Sequence, residues 1–274
     1  MLAAQDFQFI RALLQKRSAI VLDEEKNYFV ESRLETLARG EGYESVSDLV
    51  SRLKTNTADS LDERVIEALM IHETSFFRDQ RPFEVLRRKI LPELIEARKS
   101  TRQLRILCIA CASGQEPYSL AMMIRDSFPQ LAAWDLTITA TDLSKQVLKK
   151  AREGTYNEVE IKRGLPKPYL LKFFDRCGDQ WKLAQSVRQM VSFQAMNLVD
   201  SWPAFRLADV VLLRNVLIYL DVTARKQILA KVRSVLKPDG YLLLGAAEST
   251  INLDDAFKRV ELGSTSIYRL HSPS

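Results

Sequence analysis

Apolar residues recur at helical spacing through the first seventy positions. Phe7, Ile10, Leu13 and Leu14 share one face. Val30, Leu34 and Leu37 repeat the pattern behind Asp23, a capping candidate, and Val46, Leu49, Val50 and Leu53 precede Val65, Leu69 and Met70. This pattern predicts a small helical bundle. Residues 81–98 predict a longer helix carrying Phe83, Leu86, Ile90 and Leu94, and the polar stretch Lys99-Ser100-Thr101-Arg102-Gln103 closes it and marks a domain boundary.

From Leu104 the period changes. Residues 104–110 form a short apolar run of buried-strand type, followed by a small-residue loop and a predicted helix over 117–128. Strands are predicted at 136–140, 191–195, 209–213 and 240–245, with helices at 144–153, capped by Gly154, and at 222–236. Strands alternating with helices imply a mostly parallel sheet covered on both faces. Residues 156–192 interrupt the alternation. Pro166 and Pro168 break it, 169–174 is predicted helical, and the turn Cys177-Gly178-Asp179-Gln180 joins short strands expected at 181–183 and 186–190. The segment reads as an insertion with its own small antiparallel sheet.

Charge sharpens the division. The chain of 274 residues carries 40 Lys+Arg and 35 Asp+Glu, a net +5. Residues 1–80 hold 10 Lys/Arg against 15 Asp/Glu, so the basic excess lies in the remainder. The first part is therefore expected to be a unit with a different surface. Three cysteines are too few for a disulfide framework, and no signal peptide opens the chain, so a cytoplasmic location is expected. Cys108 and Cys111 form a C-x-x-C at the end of a predicted buried strand, where two packed thiols are expected rather than a metal or redox pair. The most apolar run, 208–220, is interrupted by Asp209, Arg214 and Asn215 and is too short and polar to span a bilayer.

In an open α/β sheet the ligand crevice lies at the carboxyl ends of the strands, where their order reverses. The loop Cys111-Ala112-Ser113-Gly114-Gln115-Glu116-Pro117 follows the first strand. Its small residues allow close backbone approach, although a plain tight turn fits it as well as a ligand loop does. Glu116 and Asp142 follow two adjacent strands and can accept hydrogen bonds at the crevice mouth. A carboxylate in the first loop disfavours a diphosphate and suits a ligand bearing an amino group or a sulfonium. Asn197-Leu198, after a further strand, can read an adenine edge through an amide and the backbone. Together these positions make S-adenosylmethionine the leading ligand.

Four segments, His72-Glu73-Thr74-Ser75-Phe76-Phe77-Arg78, Ala112-Ser113-Gly114-Gln115-Glu116-Pro117-Tyr118-Ser119-Leu120-Ala121, Ala140-Thr141-Asp142-Leu143 and Arg214-Asn215-Val216-Leu217-Ile218-Tyr219, resemble, in that order, the motifs of the chemotaxis receptor methyltransferase (CheR) family. The resemblance covers essentially the whole chain. It implies an α/β enzyme: a small N-terminal helical substrate-recognition domain (1–80), a linker helix (81–103) and a Rossmann-like S-adenosylmethionine-dependent methyltransferase domain (104–274) with the inserted antiparallel β-subdomain (156–192). The implied activity is protein-glutamate O-methylation on the helical cytoplasmic region of chemoreceptors, with S-adenosylhomocysteine as product and no metal.

Carried over by position, the resemblance gives Glu116 the amino end of the cofactor, Asp142 the ribose, and Asn197 with Leu198 the adenine. Gly114, Leu213, Arg214 and Asn215, with Thr74 and Arg78 from the linker side, complete the pocket. His72 stands where the family often has Asn. Arg78 and Tyr219 flank the transferring methyl. The chemistry is consistent, because a glutamate with a reference pKa of about 4.3 is ionised at neutral pH and needs no general base.

The resemblance also places a basic face of the second helix against acidic receptor helices, and Lys26 and Arg33, seven residues apart, are candidates for it. In this family the inserted sheet can bind a receptor's C-terminal tail. Here the turn 177–180 is short, which argues against a tether. A regulatory protein is a further partner class, and nothing in the chain demands more than a monomer. Competing readings are a nucleic-acid or amine N-methyltransferase, disfavoured because the 214–219 stretch has no Pro-Pro, and a non-catalytic cofactor-binding scaffold.

Overall fold

The computed structural model describes residues 2–55, 60–262 and 265–271. The chain divides into two compact units, Met1–Ile71 with Tyr219–Arg225, and His72–Ile218 with Lys226–Ser274.

The first unit contains α1 (Ala4–Ser18), α2 (Asn27–Gly40), α3 (Val46–Thr55) and α4 (Leu61–Leu69). Their buried positions, Phe7, Ile10 and Leu14, then Val30, Leu34 and Ala38, then Leu49, Val50 and Leu53, then Val65, Ile66 and Leu69, follow the helical period seen in the sequence. Asp23 does not cap α2. A 3-10 turn, Glu24–Lys26, intervenes, and its amide at Lys26 bonds the Asp23 carbonyl rather than the carboxylate. Lys26 therefore lies before α2 rather than on its face, while Arg33 lies over the Phe29 ring at 5.4 Å. The segment Tyr219–Arg225 joins this unit through an antiparallel bridge between Ile20 and Leu220 and a bond from the Val21 amide to the Tyr219 carbonyl at 2.9 Å.

The second unit opens with a helix in three pieces, α5 (Arg81–Val85), a π turn (Leu86–Ile90) and α6 (Leu91–Ala97). Pro92 lacks an N–H and its ring crowds the carbonyl four residues back. The widened turn relieves that conflict, with the Leu91 amide reaching back to Leu86. The main sheet is built from β1 (Gln103–Ile109), β2 (Asp135–Asp142), β6 (Val191–Ala195), β7 (Ala208–Leu213), β8 (Leu236–Leu244), β9 (Phe257–Arg259) and β10 (Ile267–Leu270), in the order β6-β2-β1-β7-β8-β10-β9. The first five pair in parallel, and β10 pairs antiparallel with both β8 and β9.

Strand order reverses between β1 and β7. One face of the sheet, with Ile106, Cys108, Ile138, Ala140, Val210, Leu212 and Leu243, packs on Phe83, Leu86, Tyr118 and Leu120 of the flanking helices. At the amino end of the sheet the fully buried Asp209 binds Arg98 Nε at 2.7 Å, Lys237 Nζ at 2.8 Å and the Arg105 amide at 2.8 Å, so its charge is compensated three times.

The helices α7 (Gln115–Ser127), α8 (Lys145–Glu153) and α12 (Val222–Val235) lie where the apolar pattern predicts them, and Gly154 at φ +62° ends α8. The insertion forms a second sheet of β3 (Thr155–Asn157), β4 (Phe174–Cys177) and β5 (Gln180–Leu183) in the order β3-β5-β4, accompanied by α9 (Glu158–Lys162), α10 (Lys167–Phe173) and α11 (Gln185–Arg188). The strand expected at 186–190 is instead α11 and the turn after it. There the amides of Val187 and Arg188 both bond the Ala184 carbonyl, and local bonds win because only Val187 has an apolar core to enter. The three residues of β3, too short to show a period, supply the missing strand.

Candidate active site

Four loops converge at the carboxyl ends of the parallel strands. The loop after β1 is backbone-strained, with Ala110 at φ +57°, Ala112 at +47° and Gly114 at +92°. Gly114 is required twice over. Its φ suits no side chain, and a Cβ would lie 3.0 Å from Ala151 Cβ and 3.3 Å from the Tyr118 ring. The loop is held by Asp142 at the end of β2, whose Oδ2 accepts the Ala112 amide at 2.8 Å while Oδ1 accepts the Ser144 amide at 3.0 Å. Burial pushes the Asp142 carboxyl up; the bond from Ser144, the neighbouring His72 and the bond from Ala112 oppose the rise.

Glu116, in the first turn of α7, is also buried, and burial raises its carboxyl against the pull of Arg214. Arg214 follows β7, so the two groups meet across the strand reversal. One guanidinium nitrogen bonds Glu116 Oε2 at 2.7 Å. The other bonds Asp79 Oδ2 at 2.7 Å and the Arg78 carbonyl at 3.1 Å, and Phe83 lies beneath the group at 5.8 Å. Sequence reasoning places Arg214 and Glu116 in one pocket but misses that they form an ion pair. Asp79, the second partner, has no signal beyond its place next to Arg78.

The segment 72–80 contributes His72, Thr74 and Arg78, all partly buried. It too is strained, with Phe77 at φ +49°, Asp79 at +66° and Gln80 at +42°. Ser119 Oγ accepts the Phe77 amide at 2.9 Å and donates to the Gln115 carbonyl at 2.6 Å, and Arg78 donates to the Glu73 carbonyl at 3.0 Å. Glu73 also pairs with Arg163 of the insertion.

After β6, Asn197 Oδ1 accepts the Val199 amide at 3.3 Å. The Leu198 carbonyl is taken by Lys231 Nζ at 2.9 Å and Trp202 Nε1 at 3.1 Å, so the backbone group through which Leu198 can meet a ligand is its N–H. Lys231, which also bonds the Val199 and Asp200 carbonyls, is invisible to sequence reasoning because it sits on a distant helix.

After β7, Leu213 is fully buried and Asn215 takes φ +59°. Here the sequence gives no hint of Glu248. This buried carboxylate accepts the amides of Asn215 and Gly245 on Oε2, at 2.8 and 2.7 Å, and those of Val216 and Leu217 on Oε1, at 2.8 and 2.7 Å. Tyr219 is partly buried and groups with the helical unit, whereas Arg78 belongs to the second.

The crevice thus offers two buried carboxylates at adjacent strand ends, a guanidinium paired with Glu116 and an amide pair from the loop after β6. Arg214 Nε and Thr141 Oγ1 are buried there without a hydrogen-bond partner. Polar atoms left so are costly, and a ligand offering an acceptor to the Arg214 N–H and a hydrogen-bonding group to the Thr141 hydroxyl would relieve them. The donor and acceptor set therefore fits S-adenosylmethionine, whose amino group and sulfonium match the carboxylates. Among the described residues no cluster of three or more His, Cys, Asp or Glu is placed to hold a metal ion, and no helix is long and apolar enough to cross a membrane. Cys108 and Cys111 are buried free thiols, each pushed well above the ordinary range by burial.

Comparison with known proteins agrees. Residues 5–70 match the family model described as the all-alpha domain of CheR methyltransferases, and residues 72–265 match the one described as their SAM binding domain. Chemotaxis protein methyltransferase 1 of Pseudomonas aeruginosa is 42% identical over 272 residues, covering 97% of this chain and 98% of the relative. Chemotaxis protein methyltransferase Cher2 of Pseudomonas putida is 40% identical over 269 residues, with 96% and 97% covered. A chemotaxis protein methyltransferase of Vibrio parahaemolyticus is 36% identical over 269 residues, with 97% of each chain covered.

Proposed function

This chain belongs to the CheR methyltransferase family, and from that premise we propose that it esterifies glutamate side chains on the helical cytoplasmic region of chemoreceptors, producing methyl esters for sensory adaptation. The observation that carries the reading is the pair of buried carboxylates, Glu116 and Asp142, on either side of a strained loop at the strand reversal, with Arg214 closing the pocket. The bound cofactor supplies a methyl group on a positively charged sulfur. Glu116 holds its amino end, Asp142 its ribose, and Asn197 with the Leu198 amide its adenine, while His72, Thr74, Gly114, Leu213, Arg214 and Asn215 line the remainder.

Arg78 orients the incoming glutamate carboxylate and Tyr219 hydrogen-bonds it. A carboxylate is already ionised near pH 7, so the protein has to align oxygen with carbon and exclude water rather than move a proton. Arg33, and Lys26 at the start of α2, are candidates for meeting acidic receptor helices. The same reading places the enzyme in the cytoplasm as a monomer. It leaves a receptor-tail tether disfavoured, because the β4–β5 turn consists of only Gly178 and Asp179.

Transfer of labelled methyl from S-adenosylmethionine to receptor-containing membranes, followed by alkaline release of methanol, tests the proposal. Base-labile label supports it. Base-stable label would indicate N-methylation, and tight cofactor binding without any label would indicate a scaffold.

A further inference from the structure

Tyr156 is the central residue of β3, in the inserted sheet, yet its side chain reaches the loop after β1. It is fully buried, and its hydroxyl donates to the Ser113 carbonyl at 2.8 Å. Ser113 lies between Ala112 and Gly114, both at positive φ, so this bond fixes the orientation of a peptide in the middle of the strained loop. The ring meets Phe76 edge-on, with centroids 5.0 Å apart and planes at 78°, and Phe174 of β4 at 6.4 Å. Phe76 in turn packs edge-on against Phe174 at 5.7 Å. Gly164 of the insertion lies so close to Phe76 that a Cβ there would sit 2.2 Å from the Phe76 carbonyl oxygen. The insertion thus touches two walls of the crevice, and one side chain reaches both.

Packing alone does not explain the hydroxyl. A phenylalanine would fill the same space, and a buried hydroxyl is costly unless it is bonded. Burial also pushes the phenol well above its ordinary value of 10, so it remains a donor at every working pH. What the oxygen adds is the bond to Ser113. That bond restrains a loop whose left-handed residues are unfavourable without support and whose next peptides lead into Glu116.

We propose that Tyr156 is a positioning residue through which the inserted sheet holds the loop 110–116 in its cofactor-binding shape. This rests on the reading of that loop as part of the S-adenosylmethionine pocket. It assigns the insertion a role inside the catalytic unit that does not require any partner to dock on it.

Tyr156→Phe removes the bond and keeps the ring. Tyr118→Phe is the control, because Tyr118 is equally buried and its hydroxyl also donates to a backbone carbonyl, that of Ala151 at 2.7 Å, outside the loop. Both variants should lose similar thermal stability. By calorimetry with S-adenosylhomocysteine, Tyr156→Phe should weaken binding by about three- to tenfold, the share of one buried hydrogen bond that preorganisation returns to the ligand. Tyr118→Phe should stay within about twofold. In turnover assays the cofactor KM should rise in Tyr156→Phe with kcat nearly unchanged, because the ring that packs on Phe76 remains. Hydrogen exchange over 110–116 in the ligand-free protein should quicken in Tyr156→Phe only. Unchanged affinity and exchange in Tyr156→Phe, or equal effects in Tyr118→Phe, would overturn the proposal. Asp142→Asn, run in parallel, separates the two claims. If it leaves binding untouched, the cofactor reading fails and this proposal falls with it; if it abolishes binding while Tyr156→Phe binds normally, the positioning role alone is wrong.

Discussion

The two units handle charge in opposite ways. In the helical unit the ion pairs lie at the surface: Lys54 with Asp6 at 2.7 Å, Arg64 with Glu41 at 2.8 Å and Arg11 with Glu24 at 3.2 Å each keep one partner more than a third exposed. Such pairs are screened and contribute little. At the crevice of the second unit, Arg214, Glu116, Asp142 and Glu248 are all buried and tied to one another or to backbone amides. One unit is held by its apolar faces and keeps its ion pairs at the solvent boundary. The other accepts desolvation to fix charges at the carboxyl ends of its strands.

The largest effect should follow from breaking the buried set at its cation. Arg214→Met leaves Glu116 without its guanidinium, and urea unfolding should show a loss of about 3–5 kcal/mol together with loss of measurable cofactor binding. An intact stability would mean that Glu116 takes up a proton at little cost. Glu248→Gln should come next. Its amide nitrogen would face two of the four amide donors that the carboxylate now accepts, costing about 2–3 kcal/mol by the same measurement.

A pH titration of cofactor affinity probes the carboxylates directly. Burial holds Glu116 and Asp142 above their ordinary values of 4.5 and 3.8, so each takes up a proton at a higher pH than an exposed carboxylate does. A cationic ligand requires the ionised forms. Affinity should therefore fall, by about tenfold per pH unit for each proton taken up, as the pH drops through the raised values. The fall should begin above the range of an ordinary carboxylate, and Glu116→Gln should shorten it. For the folded protein alone the sign is reversed. A raised carboxyl favours the folded state at low pH, and that contribution is lost as pH rises through the folded value. The smallest effect belongs to the helical unit, where Lys54→Ala should cost less than about 1 kcal/mol and leave cofactor affinity unchanged.

Much of this arrangement is legible in the sequence because its signals are local. The helical period of Val30 and Leu34, the apolar run of β1 and the small-residue loop around Gly114 each declare themselves within ten residues. The candidate positions Glu116, Asp142 and Asn197 are legible because each closes or follows a strand and parallel strand ends share one edge, whereas Arg214 enters only through the family resemblance. At Asp23 and at 186–190 the structure departs from the expectation because local bonds and side-chain burial, rather than the period, decide those places. Glu248, Lys231, Ser119 and Tyr156 carry no local signal. The bonds that tie Glu248 to Asn215, Lys231 to Leu198, Ser119 to Phe77 and Tyr156 to Ser113 span 33, 33, 42 and 43 residues, and such distances are bridged only when the sheet has assembled.

By itself, then, the sequence determined the main helices, the five parallel strands and the polar residues at their carboxyl ends, since periodicity and strand-end position are properties of the chain, whereas β3, β9 and β10 are too short to show a period. Only the tertiary structure decided that Arg214 neutralises Glu116, that Glu248 gathers four amides, that Tyr156 reaches from the insertion to Ser113, and that Tyr219–Arg225 groups with the helical unit. The physical reason is that a buried charge or hydroxyl must be compensated by whatever group the fold brings within about 3 Å, and that neighbour is set by packing rather than by the chain on either side.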